Sequence, residues 1–402
     1  MRQKCSVLRD LGAPSTTGPF DLARLPGGVR RRSPVADLAA EPHIEVVDMD
    51  KHDLEEAVHD PRVRAVAPVM PTRLIAPVAF AGETGPAAED GHTWGVAAVG
   101  ALDSRFTGAG VSVAVLDTGV DADHPAFTGM DLVQRDFTGD GDGDRQGHGT
   151  HTAGTVFGRD VEGTRIGVAP GVTRGLIAKV LDDQGSGDSD MLVRGVQWAA
   201  DEGAHVVSMS LGYDFPGLVE RLVAQGWPVD LATSSALEAY RANLRLFDAL
   251  MDLLRARAAF GRDTIVVAAA GNESRRDVSP DYEIAVSLPA AAEGVVSVGA
   301  LARGDEGLVI APFSNTFPQI SAPGVGTLSA RTGGGLVSLN GTSMACPHVA
   351  GVAALWWERV LAEPVPHTAD TVTARLIANA DTGGIAPDVD TADRGVGVVR
   401  AP

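Results

Sequence analysis

Ser343 stands where a hydroxyl could act as the nucleophile of an acyl transfer. It follows Gly341-Thr342 and opens a run of small and apolar residues that predicts a buried helix. A helix N-terminus carries roughly half a positive charge and unpaired N–H donors, so negative charge that develops there is stabilised. A serine hydroxyl is a poor nucleophile at neutral pH and needs a base to take its proton. Ser343 is therefore a credible nucleophile only if the chain also supplies a base.

Three further residues could complete such a site. His148 begins a second run of small residues that predicts a helix, and Asp117 and Asn272 each follow an apolar run that predicts a buried parallel strand. A histidine is a suitable base, and an aspartate can orient its ring and stabilise the imidazolium. The Asn272 amide and the Ser343 backbone N–H could stabilise the oxyanion of a tetrahedral intermediate. Together they predict a hydrolytic serine site.

These motifs resemble those of the subtilisin-like serine proteases, the subtilases. The matching stretches, in chain order, are residues 113–119, 147–154, 268–273 and 341–351. The order Asp, His, Ser is the order of that family, and the resemblance runs from about Trp94 to the C-terminus. It implies a serine endopeptidase with polypeptide substrates, catalysis through Asp117, His148 and Ser343, and no cofactor required for the reaction.

The resemblance also implies which residues bind the substrate. A peptide would lie as an extended strand in a cleft. Residues 210–212 and 270–271 would form two walls of the primary specificity pocket, and Ser287 would lie at its bottom. These substrate-binding residues are Ser210, Leu211, Gly212, Ala270, Gly271 and Ser287. Since none is acidic, we expect an apolar or uncharged residue before the scissile bond.

Other reactive side chains near these motifs are interpreted as structural rather than catalytic. His151 and His348 lie among small residues in the two predicted helices, and we interpret both as structural. Cys346, in the serine helix, is best read as a small buried side chain. Because Cys5 is far away in sequence and only these two cysteines are present, we expect no structural disulfide.

Four aspartates separated by glycines and other residues are compatible with a metal site. This acidic run consists of Asp136, Asp140, Asp142 and Asp144. The run lacks the bidentate glutamate that ends an EF-hand loop, because His151 stands at that position. A surface turn and a structural calcium site both fit this pattern, and the family resemblance favours considering calcium.

Strands and helices alternate through most of the chain. The predicted strands are residues 111–116, 176–181, 205–210, 264–270 and 295–299, with a helix at 189–201. This alternation is typical of an α/β fold with a mainly parallel sheet between helices, here a three-layer subtilisin-like fold. Asp117, Ser210 and Asn272 all fall at carboxyl ends of strands, the edge where such sheets place their sites.

The amino-terminal region has a different pattern. Residues 1–42 show no clear period and are interpreted as irregular. Residues 43–80 predict a strand at 44–49, a helix at 53–58 capped by Asp53 and a strand at 64–69, and resemble the second half of an inhibitor-type propeptide, a small α+β unit. Residues 81–93 are small and polar and predict a linker with a processing site before a peptidase domain at 94–402. The resemblance implies that the propeptide inhibits its own domain and is removed by autoprocessing.

An insertion at about 213–262 departs from compact subtilases. Ser234 or Ser235 could cap a helix there. Its apolar stripe consists of Leu237, Tyr240, Leu244, Phe247, Met251 and Leu254. Core packing is the favoured interpretation, with a partner-binding groove as the alternative. Because it follows Gly212, we expect the insertion beside the substrate cleft.

Composition excludes some partners. The formal net charge of −19 disfavours nucleic acid and anionic membranes, whose phosphates would be repelled. No apolar run reaches the length of a membrane span or of a secretory signal. We therefore expect neither a membrane nor nucleic acid as a partner. We also expect the protein to be a monomer. The compartment stays open: cytoplasm for the sequence as written, or export if its start is mis-assigned.

Three other functions remain to be weighed. Asp-Thr-Gly occurs at 117–119 and at 381–383, as in aspartic proteases, but the second copy follows no apolar strand. An inactive scaffold used for binding is disfavoured because all four chemical residues are present. A narrow processing protease for one partner peptide is compatible with the insertion.

Overall fold

A computed structural model of the chain describes residues 2–9, 43–79, 87–261 and 263–402. The elements of its amino-terminal part, in chain order, are β1 (Gln3–Arg9), β2 (His43–Met49), α1 (Lys51–His59), β3 (Val63–Pro68) and β4 (Pro71–Leu74). β1 lies between β2 and β3 in an antiparallel sheet. The interpretation of residues 1–42 as irregular is therefore wrong for residues 3–9, and residues 10–42 lie outside the described residues.

β1 escaped the sequence pattern because both of its faces are covered. Cys5 and Val7 pack with Met49 under α1, whereas Leu8 faces the core of the larger domain. A strand buried on both faces lacks the alternation of apolar and polar residues that marks a half-exposed strand. Its two partner strands also follow it only after a long intervening stretch.

Helix α1 begins earlier than predicted. Its N-cap is Asp50, whose carboxylate accepts hydrogen bonds from the backbone N–H groups of His52 and Asp53. The Asp53 side chain in turn accepts from the Asp50 backbone N–H. The pair forms a reciprocal capping box, so the prediction of Asp53 as the N-cap is wrong by three positions.

The larger part of the chain contains the remaining elements. From residue 88 to residue 256 they are β5 (Ala88–Glu89), β6 (His92–Thr93), α2 (Trp94–Ala98), β7 (Ser112–Asp117), β8 (Asp131–Asp136), α3 (His148–Phe157), β9 (Arg174–Lys179), β10 (Ser186–Asp188), α4 (Ser189–Asp201), β11 (Val206–Met209), β12 (Leu211–Tyr213), α5 (Phe215–Ala224) and α6 (Val229–Ala256). The others are β13 (Ile265–Ala269), β14 (Val295–Gly304), β15 (Gly307–Ile310), β16 (Ile320–Pro323), β17 (Thr327–Ala330), β18 (Leu336–Leu339), α7 (Thr342–Leu361), α8 (Ala369–Ala378) and α9 (Thr391–Arg394). Since β5 and β6 form a hairpin, the end of the predicted linker is structured, while residues 80–86 lie outside the described part.

A mainly parallel sheet forms the centre of this domain. Its strand order is β15-β14-β13-β11-β7-β9-β8, with β16 beside β14, and only the β14–β15 pair is antiparallel. Side chains alternate between two cores along each central strand. Val113 and Val115 face one core, with α3 and α7, whereas Ala114 and Leu116 face the other, with α4 and α6. The predicted three-layer α/β fold is confirmed, and the parallel strands end together at one edge.

The insertion consists of two helices, not one. Asp214 caps α5 by accepting from the Gly217 backbone N–H, and Pro228 directly precedes α6. Ser234 and Ser235 lie inside α6, so neither is a cap. Since proline provides no N–H and pre-sets φ, it ends the preceding segment and allows a helix to start after it.

The buried face of α6 packs against the amino-terminal sheet as well as the central domain. α6 contacts β3, α5 and α4, and the buried Asn243 side chain donates to the carbonyl of Pro68 at 2.8 Å. Of the predicted stripe, Phe247, Met251 and Leu254 are buried, whereas Leu237 is exposed. The core-packing interpretation is therefore confirmed for the carboxyl half of the helix.

Phe247 and Leu237 offer a matched test of this packing. Phe247→Ala should lower the free energy of unfolding by about 3–5 kcal/mol, because the residue is fully buried. Leu237→Ala should change it by less than about 0.5 kcal/mol, because 48% of that residue is already exposed. Urea denaturation of both variants measures the difference. Equal losses would mean that α6 does not pack on the core as described.

Candidate active site

Asp117 and His148 form a buried hydrogen-bonded pair. Asp117 ends β7 and His148 begins α3, and His148 Nδ1 lies 2.8 Å and 3.0 Å from the two carboxylate oxygens. Both side chains are 1% exposed. The same carboxylate accepts from the backbone N–H of Thr118 and the hydroxyl of Thr152. A carboxylate on Nδ1 selects the tautomer that leaves Nε2 free to accept a proton.

The loop before α3 is organised around Asp144. This buried carboxylate accepts from the Thr118 and Thr150 hydroxyls and from the backbone N–H groups of Gln146, Gly147 and Thr150. Because one of these donors is the residue after Asp117 and the others flank His148, Asp144 holds both catalytic candidates in place. Gly147 has φ of 96°, a conformation that favours glycine.

Ser343 lies in the first turn of α7, which packs against α3, β7 and β11. Its hydroxyl donates to the carbonyl of Ile75 at 2.9 Å, with a longer contact of 3.4 Å to the Ser210 carbonyl. His148 Nε2 is buried and has no hydrogen-bond partner among the described residues. In this arrangement the Ser343 hydroxyl donates to Ile75, and His148 Nε2 is a proton acceptor without a donor.

The side chain of Asn272 is oriented by Thr342. Its Oδ1 accepts from the Thr342 backbone N–H at 2.9 Å and from the Thr342 hydroxyl at 2.8 Å. Its Nδ2 therefore points into the cleft, where it donates to the carbonyl of Ala76 at 3.0 Å. Asn272 follows β13 and Thr342 precedes Ser343, so this contact joins two motifs that are distant in sequence.

A strand of the chain itself occupies the predicted substrate cleft. β4 pairs antiparallel with both β10 and β12, placing Leu74 opposite Leu211 and Arg73 opposite Gly212. The Leu74 backbone N–H donates to the carbonyl of Gly185 at 2.8 Å. The cleft thus binds an extended peptide through backbone hydrogen bonds on both sides.

The same segment continues past Ser343 without leaving the cleft. After Ile75 and Ala76, the backbone N–H of Val78 donates to the Asn340 carbonyl at 2.8 Å. The Asn340 side chain donates to the Val78 carbonyl at 2.9 Å. Residues 71–79, hereafter the cleft segment, are thereby anchored on both sides of the serine.

Of the predicted pocket residues, Gly212 lies beside the Ile75 side chain, and the others have different contacts. A Cβ added to Gly212 would lie 3.6 Å from the Ile75 side chain and 3.7 Å from the Leu288 carbonyl. Ser210 Oγ donates to the Ser343 carbonyl, so it supports the nucleophile's turn. The Ser287 backbone N–H donates to Ala270 at 3.3 Å. It is thus the Leu288 carbonyl, next to the predicted Ser287, that faces Gly212.

Ala270 and Gly271 lie beside the site and are held by residues that the sequence reasoning missed. The Gly271 backbone N–H donates to the Thr342 hydroxyl, and buried Asn315 donates to the Ala270 carbonyl. Tyr240, from α6, accepts from the Leu288 backbone N–H at 3.0 Å. Asn315 and Tyr240 gave no sequence signal of this role, because each reaches the cleft only through tertiary contacts.

The remaining histidines and Cys346 are packed as structural residues. His151 Nε2 donates to the carbonyls of Thr327 and Val337, and His348 Nδ1 donates to the Met344 carbonyl. Burial raises the pKa of Cys346 to about 11. Its thiol therefore stays protonated near neutral pH and is a poor nucleophile.

The paired-aspartate alternative is not supported. Asp117 is paired with His148, whereas Asp381 Oδ2 lies 2.7 Å from Arg400 Nη2. The Arg400 hydrogen bond is the main cause that lowers the pKa of Asp381. An aspartic protease needs two carboxyl groups that share one proton, and these two have different partners.

The acidic run does not assemble a metal site. Asp144 uses both oxygens on the loop before α3, and the Asp136 carboxylate accepts from Thr138, Gly139 and Gly141. Asp140 Oδ2 accepts from the Asp183 backbone N–H. In the described part of the chain no group of three or more His, Cys, Asp or Glu residues could hold a metal ion. These contacts give no support to calcium at Asp136, Asp140, Asp142 and Asp144, and that site stays a prediction.

The helices of the described residues include none with the length and apolar character needed to span a bilayer.

Comparison with known proteins gives one consistent result. The family model described as Subtilase family (Peptidase_S8) matches residues 108–398. An intracellular serine protease of Paenibacillus polymyxa is 35% identical over 279 residues, which cover 66% of this chain and 74% of that protein. A thermostable alkaline protease of Halalkalibacterium halodurans is 32% identical over 316 residues (77% and 70%). Subtilisin DY of Bacillus licheniformis is 34% identical over 285 residues (69% and 86%).

The buried histidines predict a pH dependence of stability. Burial lowers the pKa of His151 to about 3, with a contribution from His148, and that of His348 to about 4. Because both are near 6.5 in an unfolded chain, the unfolded state binds more protons between those values. The free energy of unfolding should therefore fall as the pH drops from about 6.5 to about 4.

His151→Gln tests this, because glutamine can still donate to the Thr327 carbonyl. In the variant, the unfolding free energy should change less steeply with pH, by up to about 1.4 kcal/mol per pH unit, because one fewer proton binds on unfolding. His52→Gln is the control, since that side chain is 79% exposed. Denaturant titrations at several pH values give the slopes. A slope unchanged in His151→Gln would contradict the assignment.

Proposed function

This chain belongs to the subtilase family and is a serine-type endopeptidase, and we propose that Asp117, His148 and Ser343 cleave the peptide bond. The observation that carries the proposal is the buried Asp117–His148 pair, which leaves Nε2 without a partner on α3, the helix that packs against the serine-bearing α7. All three residues come from one chain, and we propose a monomer as the active species.

The mechanism follows from these positions. A substrate peptide replaces the cleft segment between β10 and β12, and the Ser343 hydroxyl turns from Ile75 toward His148. As Oγ attacks the substrate carbonyl, Nε2 takes the proton and Asp117 stabilises the imidazolium. His148 then returns this proton to the leaving amine. In the second half of the reaction His148 takes a proton from water, which attacks the acyl-enzyme, and gives it to Ser343 Oγ as the acid product leaves.

Asn272 acts as an oxyanion donor. Its Oδ1 is held by Thr342, so Nδ2 is aimed into the cleft before the substrate arrives. The Ser343 backbone N–H, in the first turn of α7, is the second donor. Donors that need no reorientation stabilise the negative charge that develops on the former carbonyl oxygen.

The cleft segment is an intramolecular inhibitor. It occupies the strand position of a substrate. Its Ile75 carbonyl accepts a hydrogen bond from the Ser343 hydroxyl, and its Ala76 carbonyl accepts one from the Asn272 amide. The serine proton is then directed away from the base and the oxyanion donor is engaged by a carbonyl one residue further on. Residues 43–80 thus act as a propeptide, joined by β1, and activity requires their removal by autoprocessing.

The cleft segment also supports the expected primary specificity. Ile75, the residue whose carbonyl meets the Ser343 hydroxyl, is 5% exposed and lies against Gly212. An apolar side chain before the scissile bond would bury the same surface and gain the corresponding hydrophobic free energy.

Ser343→Ala tests the nucleophile and autoprocessing together. Purified wild type should lose its amino-terminal region, with the new terminus between residues 76 and 94, whereas Ser343→Ala should stay intact because it lacks the nucleophile. Intact-mass spectrometry measures both. Ser338→Ala, at an exposed serine of β18, is the matched control and should be processed like wild type. Equal processing of wild type and Ser343→Ala would assign the cleavage to another protease.

Asn272→Leu tests the oxyanion donor. Removal of such a donor costs about 2.7–4 kcal/mol in the transition state, so kcat should fall about 100- to 1,000-fold with little change in KM. The variant is processed in trans by tagged wild type, which is then removed, and active sites are titrated before the assay. Asn379→Ala, at an exposed asparagine remote from the cleft, should retain wild-type kcat. A loss confined to KM would contradict the oxyanion role.

A further inference from the structure

Arg73 of the cleft segment is held by two carboxylates of the enzyme domain. Its Nη1 lies 3.3 Å from Asp214 Oδ1, and its Nη2 lies 3.6 Å from Glu273 Oε1. Asp214 stands between β12 and α5, and Glu273 directly follows Asn272. One guanidinium thus bridges the insertion and the oxyanion loop across the cleft.

Both carboxylates are positioned by contacts that do not involve Arg73. Asp214 caps α5 by accepting from the Gly217 backbone N–H at 3.1 Å. Glu273 Oε2 accepts from the side chain of Asn315 at 2.7 Å, and Asn315 is fully buried. Because these two side-chain contacts do not involve the cleft segment, we expect both carboxylates to remain available for a cation when the segment leaves.

The backbone register places Arg73 at a definite substrate position. It pairs with Ser186 on one side and Gly212 on the other. It lies two residues before Ile75, whose carbonyl accepts from Ser343. A peptide bound in the same register would present its third residue, counted back from the scissile bond, to Asp214 and Glu273.

We propose that Asp214 and Glu273 form a subsite that selects arginine or lysine as the third residue before the scissile bond. This inference rests on the proposed function, because it assumes that substrates follow the path of the cleft segment. Arg275 also lines this part of the cleft, so release of Arg73 leaves two carboxylates and one arginine there. The net charge of −19 also attracts cationic peptides over longer distances.

The preference should be moderate. The Arg73 side chain is 45% exposed, and the carboxylates are 22% and 38% exposed. Partly exposed ion pairs are weak, so two of them support a preference of about fivefold for arginine over glutamine. The preference should also shrink at about 1 M salt, where the Debye length is about 3 Å.

Matched chromogenic peptides measure this preference. The peptides are acetyl-Thr-Xaa-Leu-Leu-4-nitroanilide, with arginine, glutamine or glutamate as Xaa, and the enzyme is the processed wild type. The kcat/KM for the arginine peptide should be about fivefold that for the glutamine peptide, with the glutamate peptide lowest. Because each ratio is taken within one preparation, the fraction of active enzyme cancels.

The double variant Asp214→Asn/Glu273→Gln should reduce the arginine-to-glutamine ratio to below about two. Asparagine can still cap α5 and glutamine can still accept from Asn315, so the local fold is retained. Asp252→Asn, at a side chain that is 74% exposed on α6, removes a negative charge elsewhere and should keep the wild-type ratio. A wild-type ratio near one, or a ratio unchanged in the double variant, would overturn the proposed subsite.

A second measurement needs no catalysis. In full-length Ser343→Ala, Arg73→Gln should raise the hydrogen-exchange rate of the Leu74 amide about fivefold, because the strand is held less firmly. The same substitution should have little further effect on top of Asp214→Asn/Glu273→Gln. An exchange rate unaffected by Arg73→Gln would overturn the subsite. If no peptide and no casein were cleaved by processed wild type, the proposed function would fail, and hydrogen exchange alone would decide the subsite.

Discussion

The hydrogen bond between Asp117 and His148 is the contact on which the rest of the site depends. It joins the end of a central strand to the start of a helix, and both side chains are almost completely buried. A buried carboxylate is costly unless its oxygens are satisfied, and Thr118 and Thr152 supply the additional donors. Asp144 connects the two loops that carry the pair. The geometry of the base is therefore built into the junction of β7 and α3, independently of any substrate.

The proposed inhibition and the proposed substrate recognition rest on one set of interactions in the cleft. β10 and β12 offer backbone groups on both sides, and β4 fills the gap between them as a third strand. Backbone pairing accepts many sequences, so selectivity has to come from the side chains that the strand presents. Ile75 meets Gly212 and Arg73 meets Asp214 and Glu273. The cleft segment therefore shows which side chains the cleft accommodates.

The insertion links these two roles. α6 packs on the amino-terminal sheet through β3, and its Asn243 holds the Pro68 carbonyl just before the cleft segment. At the same time, Tyr240 of α6 holds the backbone of Leu288 beside the pocket. One helix therefore contacts both the amino-terminal sheet and the backbone beside the predicted pocket. This arrangement explains why a stripe that looked like ordinary core packing lies close to the chemistry.

Local sequence was sufficient for the central sheet, for α4 and for the motifs around Asp117, His148, Asn272 and Ser343, because each depends on a short apolar run and the turn that follows it. It was insufficient for β1, which is buried on both faces by partners distant in sequence, and for the start of α6, where a proline outweighed two serines as the boundary. The four aspartates resemble metal ligands in sequence, yet the oxygens of Asp136 and Asp144 accept from backbone N–H groups of their own turns. Only the folded chain brings Ile75 to Ser343 and Arg73 to Asp214 and Glu273, since such contacts require strands to pair across more than a hundred residues and leave no pattern within any one segment.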